Sequence, residues 1–149
     1  MNILCSNKKA SFKYSLTKKI EAGIVLEGWE VKSLKSGHGQ ISESYITIRN
    51  QEAFLVNSHL KVLNTSNDNH KLNPMRERKI LLNKKQILQL SNEVKQNGFA
   101  IILTKIYTKK SLIKLEIALG KGKKQQDKRA DIKKREWERQ KQRVLKKNN

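Results

Sequence analysis

The last 29 residues, Lys121 to Asn149, constrain this chain most, because they cannot build a core of their own. They carry 13 Lys or Arg against 4 Asp or Glu, which is +9 of a total charge of +20. Their large apolar or aromatic side chains are Ile132, Trp137, Val144 and Leu145 alone. So few anchors bury too little surface to offset the conformational entropy of ordering the segment. The residues are nonetheless good helix formers, and Asp131 with Arg135 makes a favourable i,i+4 pair. A segment that can be helical but cannot fold alone is expected to order against a partner, and its charge makes that partner a polyanion. The plain alternative is a solvated, disordered basic tail that aids solubility.

A folded domain must therefore come from residues 1–120, with 121–149 as the tail. The body keeps 20 basic and 9 acidic residues, so it too is strongly positive. Such a surface attracts nucleic acid or an anionic membrane at long range. No stretch is apolar for long enough to span a bilayer, and the N-terminus lacks the apolar run of a signal peptide. Without an amphipathic anchor or lipidation motif, no membrane partner is expected. One cysteine, Cys5, rules out an intramolecular disulfide and fits a reducing cytoplasm, where the chain is expected to work as a monomer.

Short alternating runs fill the body. Tyr45 to Arg49 alternates, breaks at Asn50-Gln51-Glu52 and resumes over Ala53 to Asn57, the pattern of a hairpin with one buried face. Phe99 to Tyr107 and Leu112 to Leu119 flank a polar break at Thr108 to Ser111. Ile113, Leu115, Ile117 and Leu119 then point one way, with Lys114, Glu116 and Ala118 opposite. Lys13 to Leu16 and Gly23 to Leu26 also read as extended. Asn83 can cap a helix whose third residue, Gln86, reaches back to it, and Gly98 stands where a left-handed C-terminal residue is wanted. A shorter helix is expected from Gly28 to Leu34. The polar stretch from Leu60 to Arg78 reads as a long, mobile loop. The expected fold is mainly β: a small closed OB-like barrel of about six antiparallel strands with two or three short helices.

No chemistry announces itself. Cys5, His38, His59 and His70 lack metal-ligand spacing, so neither a metal nor another cofactor is expected. No Gly-rich phosphate loop or nucleophile motif is present, and the acidic residues are dispersed. The chain is expected to bind rather than catalyse.

Two segments carry a resemblance. They are Glu21-Ala-Gly-Ile-Val-Leu-Glu-Gly-Trp-Glu-Val-Lys-Ser-Leu-Lys-Ser-Gly37, and Gly120-Lys-Gly-Lys-Lys-Gln-Gln-Asp-Lys-Arg129 running on through Asp131 to Trp137. Together they resemble the SsrA-binding protein family, also called small protein B or SmpB, the protein partner of bacterial transfer-messenger RNA. Weaker matches at Asn7 to Ala10, Ser44-Tyr45, Ala53 to Val56 and Arg78 to Leu82 extend it along nearly the whole chain. The resemblance implies an OB-like barrel that binds the transfer-RNA-like domain of that RNA. It also implies a tail, disordered when free, that becomes helical in the empty messenger channel and decoding centre of a stalled ribosome. Translation then resumes on a tagging frame, the process called trans-translation.

The same resemblance assigns residues. Glu30 matches a position important for RNA binding, where a carboxylate would accept from a base edge or ribose hydroxyl. A surface Glu beside Lys32 or Lys35 is the alternative. Trp29 either stacks on a base or covers the barrel, while Lys32 and Lys35 suit phosphate contacts. In the tail, Lys123 and Lys124 lead into the Asp127-Lys128-Arg129 motif, whose basic pair should meet ribosomal RNA while Asp127 helps cap a helix. Lys133, Lys134 and Arg135 extend the positive face. Ala130, Trp137 and Val144 recur every seven residues, and Trp137 with Leu145 offers the most apolar anchoring surface. The alternative is a frayed helix whose Trp137 touches the body. Gln126 stands where relatives often have an aromatic residue or His, and Ser11-Phe12-Lys13 replaces a usual Arg-His run. A general structured-RNA-binding or ribosome-assembly protein is the competing reading.

Overall fold

Alternation in the body closes into a ring. The computed structural model describes residues 1–63, 72–123, 132–141 and 143. Its strands are β1 (Asn2–Ser6), β2 (Tyr14–Ile24), β3 (Gly39–Gln40), β4 (Tyr45–Arg49), β5 (Glu52–Val56), β6 (His59–Leu60), β7 (Arg78–Leu81), β8 (Ala100–Lys109) and β9 (Leu112–Gly122). The helices are α1 (Ala10–Lys13), α2 (Gly28–Lys35) and α3 (Lys84–Asn97). The main sheet runs β1-β8-β4-β5-β7-β2-β9, and β9 pairs back with β8. Six antiparallel strands thus form a closed ring, with β1 attached outside it along β8. Closure removes the unpaired edges that a small open sheet would expose.

The inward faces follow from the pairing. Ile46 stands opposite Leu55, Ala53 opposite Ile80, Ile101 opposite Leu119, and Leu103 opposite Ile117. Each of these is at most 4 % exposed, and they form one cluster with Leu34 of α2 and Leu90 of α3. Ala118, expected to face outward, does so beside the equally outward Ile102, yet both are buried. Ala10 of α1 and Ile102 line the same small cleft, so α1 covers that part of the outer wall. Gly120 is small for the same reason: a Cβ there would lie 2.9 Å from Ile102 Cγ1 and 3.0 Å from Tyr14 Cβ.

The two expected runs, Lys13 to Leu16 and Gly23 to Leu26, fall largely on one strand, β2, which begins after Lys13 of α1 and ends at Ile24. A shift in register between Thr17 and Ile20, with Lys18 at φ 48°, breaks the alternation and hides the continuity. Both tight hairpins turn through two left-handed residues, Asn50-Gln51 and Lys110-Ser111, the twist-compatible geometry of a two-residue loop. The expected loop from Leu60 to Arg78 is shorter than the sequence suggests, because Leu60 N donates to Pro74 O and Arg78 opens β7. Residues 64–71 of it lie outside the described residues.

Candidate functional site

The first turn of the motif helix α2 governs the site. Glu27 sits in extended conformation at its N-cap, and Glu30, three residues on, reaches back so that its Oε1 accepts from the Glu27 N–H at 2.7 Å. This turns the Glu30 carboxylate into the barrel, where it is 0 % exposed. There it meets two arginines from the segment leading into β7. Arg78 Nε donates to Glu30 Oε2, while Arg76 donates from Nη2 to Oε1 and from Nε to Oε2. Arg78 is itself fully buried, and its other donors reach the Ser58 carbonyl at 3.2 Å, Ser58 Oγ at 2.8 Å and the Pro74 carbonyl at 3.0 Å. Burial alone would push the Glu30 carboxyl up. The hydrogen bond from Arg76, the Glu27 N–H and the Arg78 charge outweigh it and hold Glu30 below the usual carboxylate range.

This placement corrects the expected mode of action of Glu30. A buried carboxylate with four donors already on it presents nothing to a base edge or ribose hydroxyl, and it is no surface glutamate beside Lys32 either. The exposed carboxylates of the same motif are Glu21 and Glu27. Glu21 accepts from the Tyr107 hydroxyl, and Lys109 Nζ lies 3.5 Å away. The Tyr107 hydrogen bond is the main reason its carboxyl sits below the ordinary value.

Trp29 packs partly buried against the core, and its Nε1 donates to Glu27 Oε2 at 2.6 Å. Lys32 and Lys35 are exposed in the last turns of α2. Lys123 ends the body: its N–H donates to the Lys13 carbonyl at 3.0 Å. Residues 132–141 are helical, which places Lys133, Lys134, Arg135 and Trp137 on one exposed helix. Trp137 is 62 % exposed with Lys141 Nζ 5.3 Å from its ring centre, and the Arg135 guanidinium lies 5.6 Å over Phe12. Lys124, Asp127, Lys128, Arg129, Val144 and Leu145 lie outside the described residues, as do Gln126 and Ala130.

Sequence reasoning missed Arg76 and Arg78. Their spacing of two was the available signal, since alternate residues of an extended segment share a face. The partner carboxylate, 46 and 48 positions earlier, left no local trace. Among the described residues no group of His, Cys, Asp or Glu could hold a metal ion, and no helix is long and apolar enough to cross a membrane. A groove of about 430 Å³ between α3 and the β4–β5 turn is lined by Ile48, Ile87 and Leu88 with Lys84 and Lys95 at its rim, and no acid–base pair faces into it.

A closed six-stranded barrel with a basic exterior and a basic extension places the molecule among the small barrels to which oligonucleotide-binding folds belong. Comparison with known proteins narrows this. A family model described as SmpB protein matches residues 4–147. The SsrA-binding protein of Pseudoalteromonas atlantica is 47 % identical over 145 residues, covering 97 % of this chain and 92 % of the relative. Those of Psychrobacter cryohalolentis and Burkholderia vietnamiensis are 45 % and 43 % identical, covering 98 % and 95 % of this chain and 92 % and 96 % of the relatives. A solved chain described as "tmRNA-SmpB: a journey to the center of the bacterial ribosome" superposes with a TM-score of 0.65 at 31 % identity, over 81 % of this chain and 85 % of the other. This chain belongs to the SmpB family of SsrA-binding proteins.

Proposed function

We propose that this chain binds transfer-messenger RNA, the SsrA RNA, and delivers it to stalled ribosomes in trans-translation. The observation that carries the reading is the extent of the family match, residues 4–147, which takes in barrel and tail together. Binding of transfer-messenger RNA and action on the ribosome follow from that membership and from the likeness to the ribosome-associated chain.

The division of labour is the finer part of the proposal. The barrel holds the transfer-RNA-like domain, with Lys32 and Lys35 contacting phosphate from the exposed face of α2. The tail beyond Lys123 enters the empty messenger channel and decoding centre, where Lys128 and Arg129 meet ribosomal RNA. The helix over 132–141, nearly three turns long, supports that role, since its basic residues are exposed along it. The chain acts as an adaptor: binding and placement are its work, and the ribosome's own chemistry does the rest.

A gel-shift titration against transfer-messenger RNA at physiological salt, with excess unrelated transfer RNA, tests the reading. Binding that survives the competitor is expected. Binding that the competitor removes would leave a general structured-RNA binder, because phosphate contacts carry no sequence information.

A further inference from the structure

Resting on that reading, the geometry points to Arg76 as a stacking platform for one unpaired RNA base, held in place by Glu30. Arg76 is the guanidinium of the cluster that reaches the surface, with 31 % of its side chain exposed, while Arg78 is buried. A guanidinium has five N–H donors. Four are already engaged: Nε and Nη2 with Glu30, and, at the surface, Nη2 again with the Val25 carbonyl at 3.5 Å and Nη1 with the Glu77 carbonyl at 3.3 Å. A phosphate fork needs two parallel free donors, and one remains. What the residue still offers is the flat face of its guanidinium.

Charge points the same way. Glu27 Oε1 lies 3.7 Å from Arg76 Nε, so the cluster holds two carboxylates and two guanidiniums and is neutral. In a chain of net charge +20, a neutral spot is a poor place for a phosphate and a good one for a nucleobase. Its flanks are apolar: Val25 is 47 % exposed and the adjacent Met75 42 %. Recognition of RNA commonly uses bases stacked on Arg planes, and here the plane is fixed before the RNA arrives. Glu30 is then a positioning residue, which accounts for a buried carboxylate in an RNA-binding motif.

The test is equilibrium binding of the full chain to the transfer-RNA-like domain of transfer-messenger RNA over a salt series. Wild type is compared with Arg76→Lys and Arg76→Ala, with thermal unfolding of each recorded. Stacking predicts that both variants weaken binding by roughly tenfold, as loss of one base–side chain stack does, with an unchanged slope of affinity against salt. A phosphate contact predicts instead that Arg76→Lys binds like wild type and that Arg76→Ala lowers the slope by about one; that result overturns the inference. A second measurement separates loss of the stack from a general weakening of the variant. Single unpaired nucleotides of the RNA are made abasic, and one position must weaken wild-type binding by the same factor while leaving Arg76→Ala unaffected. If no abasic position does so, the platform does not exist. Loss of competitor-resistant binding by the wild-type chain itself would instead remove the functional reading.

Discussion

A carboxylate with no exposed surface cannot exchange its protein partners for water, so Glu30 is committed to Arg76 and Arg78. Replacing it by Gln keeps the shape but leaves Arg78, equally buried, without a counter-charge. Breaking a buried pair on one side costs about 3–5 kcal/mol. Glu30→Gln should therefore lower the free energy of unfolding by that order in urea denaturation, whereas Lys32→Gln, on an exposed position of the same helix, should change it by less than about 0.5 kcal/mol. Acid should act through the same residue. The folded carboxyl is held below its ordinary value, so the group's contribution is fully present above the unfolded-state value, about 4.3, and is lost as pH falls through the lower folded value. Unfolding midpoints should drop below about pH 4 in wild type, and Glu30→Gln should flatten that part of the profile; an equally steep fall in both would place the titration elsewhere.

At the scale of the element, α3 is the clearest case of local chemistry setting structure. Gln86 N donates to Asn83 Oδ1 at 2.8 Å, Asn83 N donates to Gln86 Oε1 at 3.1 Å, and the helix stops at Gly98 with φ 70°. Asn83→Ala should cost about 1 kcal/mol through the lost cap, and Gly98→Ala a similar amount, about 1 kcal/mol, through a left-handed backbone that a Cβ disfavours. Thermal melts of the two single variants and of the pair should show additive losses, as the sites lie at opposite ends of the helix. This helix, with the β4–β5 and β8–β9 hairpins and α2, was legible in sequence because each is written in contiguous residues: a cap and its partner three apart, or alternation beside a polar break. The elements that escaped have their causes far away. β1 is extended because β8, some hundred residues on, offers it an edge. α1 forms where Ala10 covers the outer wall. β7 is entered through Arg78, whose buried position makes sense only with Glu30 in view. The site divided in the same way: the motif lysines are exposed as their charge suggests, and the glutamate's role depended on two arginines that nothing near it in sequence could indicate.

The whole molecule carries its charge in two places, and the two should fail separately. Reversing Lys128 and Arg129 to Glu should leave affinity of the chain for transfer-messenger RNA within about threefold of wild type, because the barrel residues proposed to hold that RNA are kept and the reach of the reversed charges is limited to about a Debye length. The same variant should abolish peptide tagging in a reconstituted translation assay. Equal loss of both activities would mean that barrel and tail share one RNA surface.

Closure of the ring has a consequence for how this protein is made. The seam joins Tyr14 to Gly122 and runs back to Gly23 opposite Lys114, so the first strand of the ring waits for the last. Pairings of such sequence separation form late, and none can form until β9 has emerged from the ribosome that is synthesising it. A chain released before Leu112 would carry two open edges, one on β2 and one on β8, each a template for joining other chains. Unfinished copies of this protein are therefore among those a cell would most need to clear.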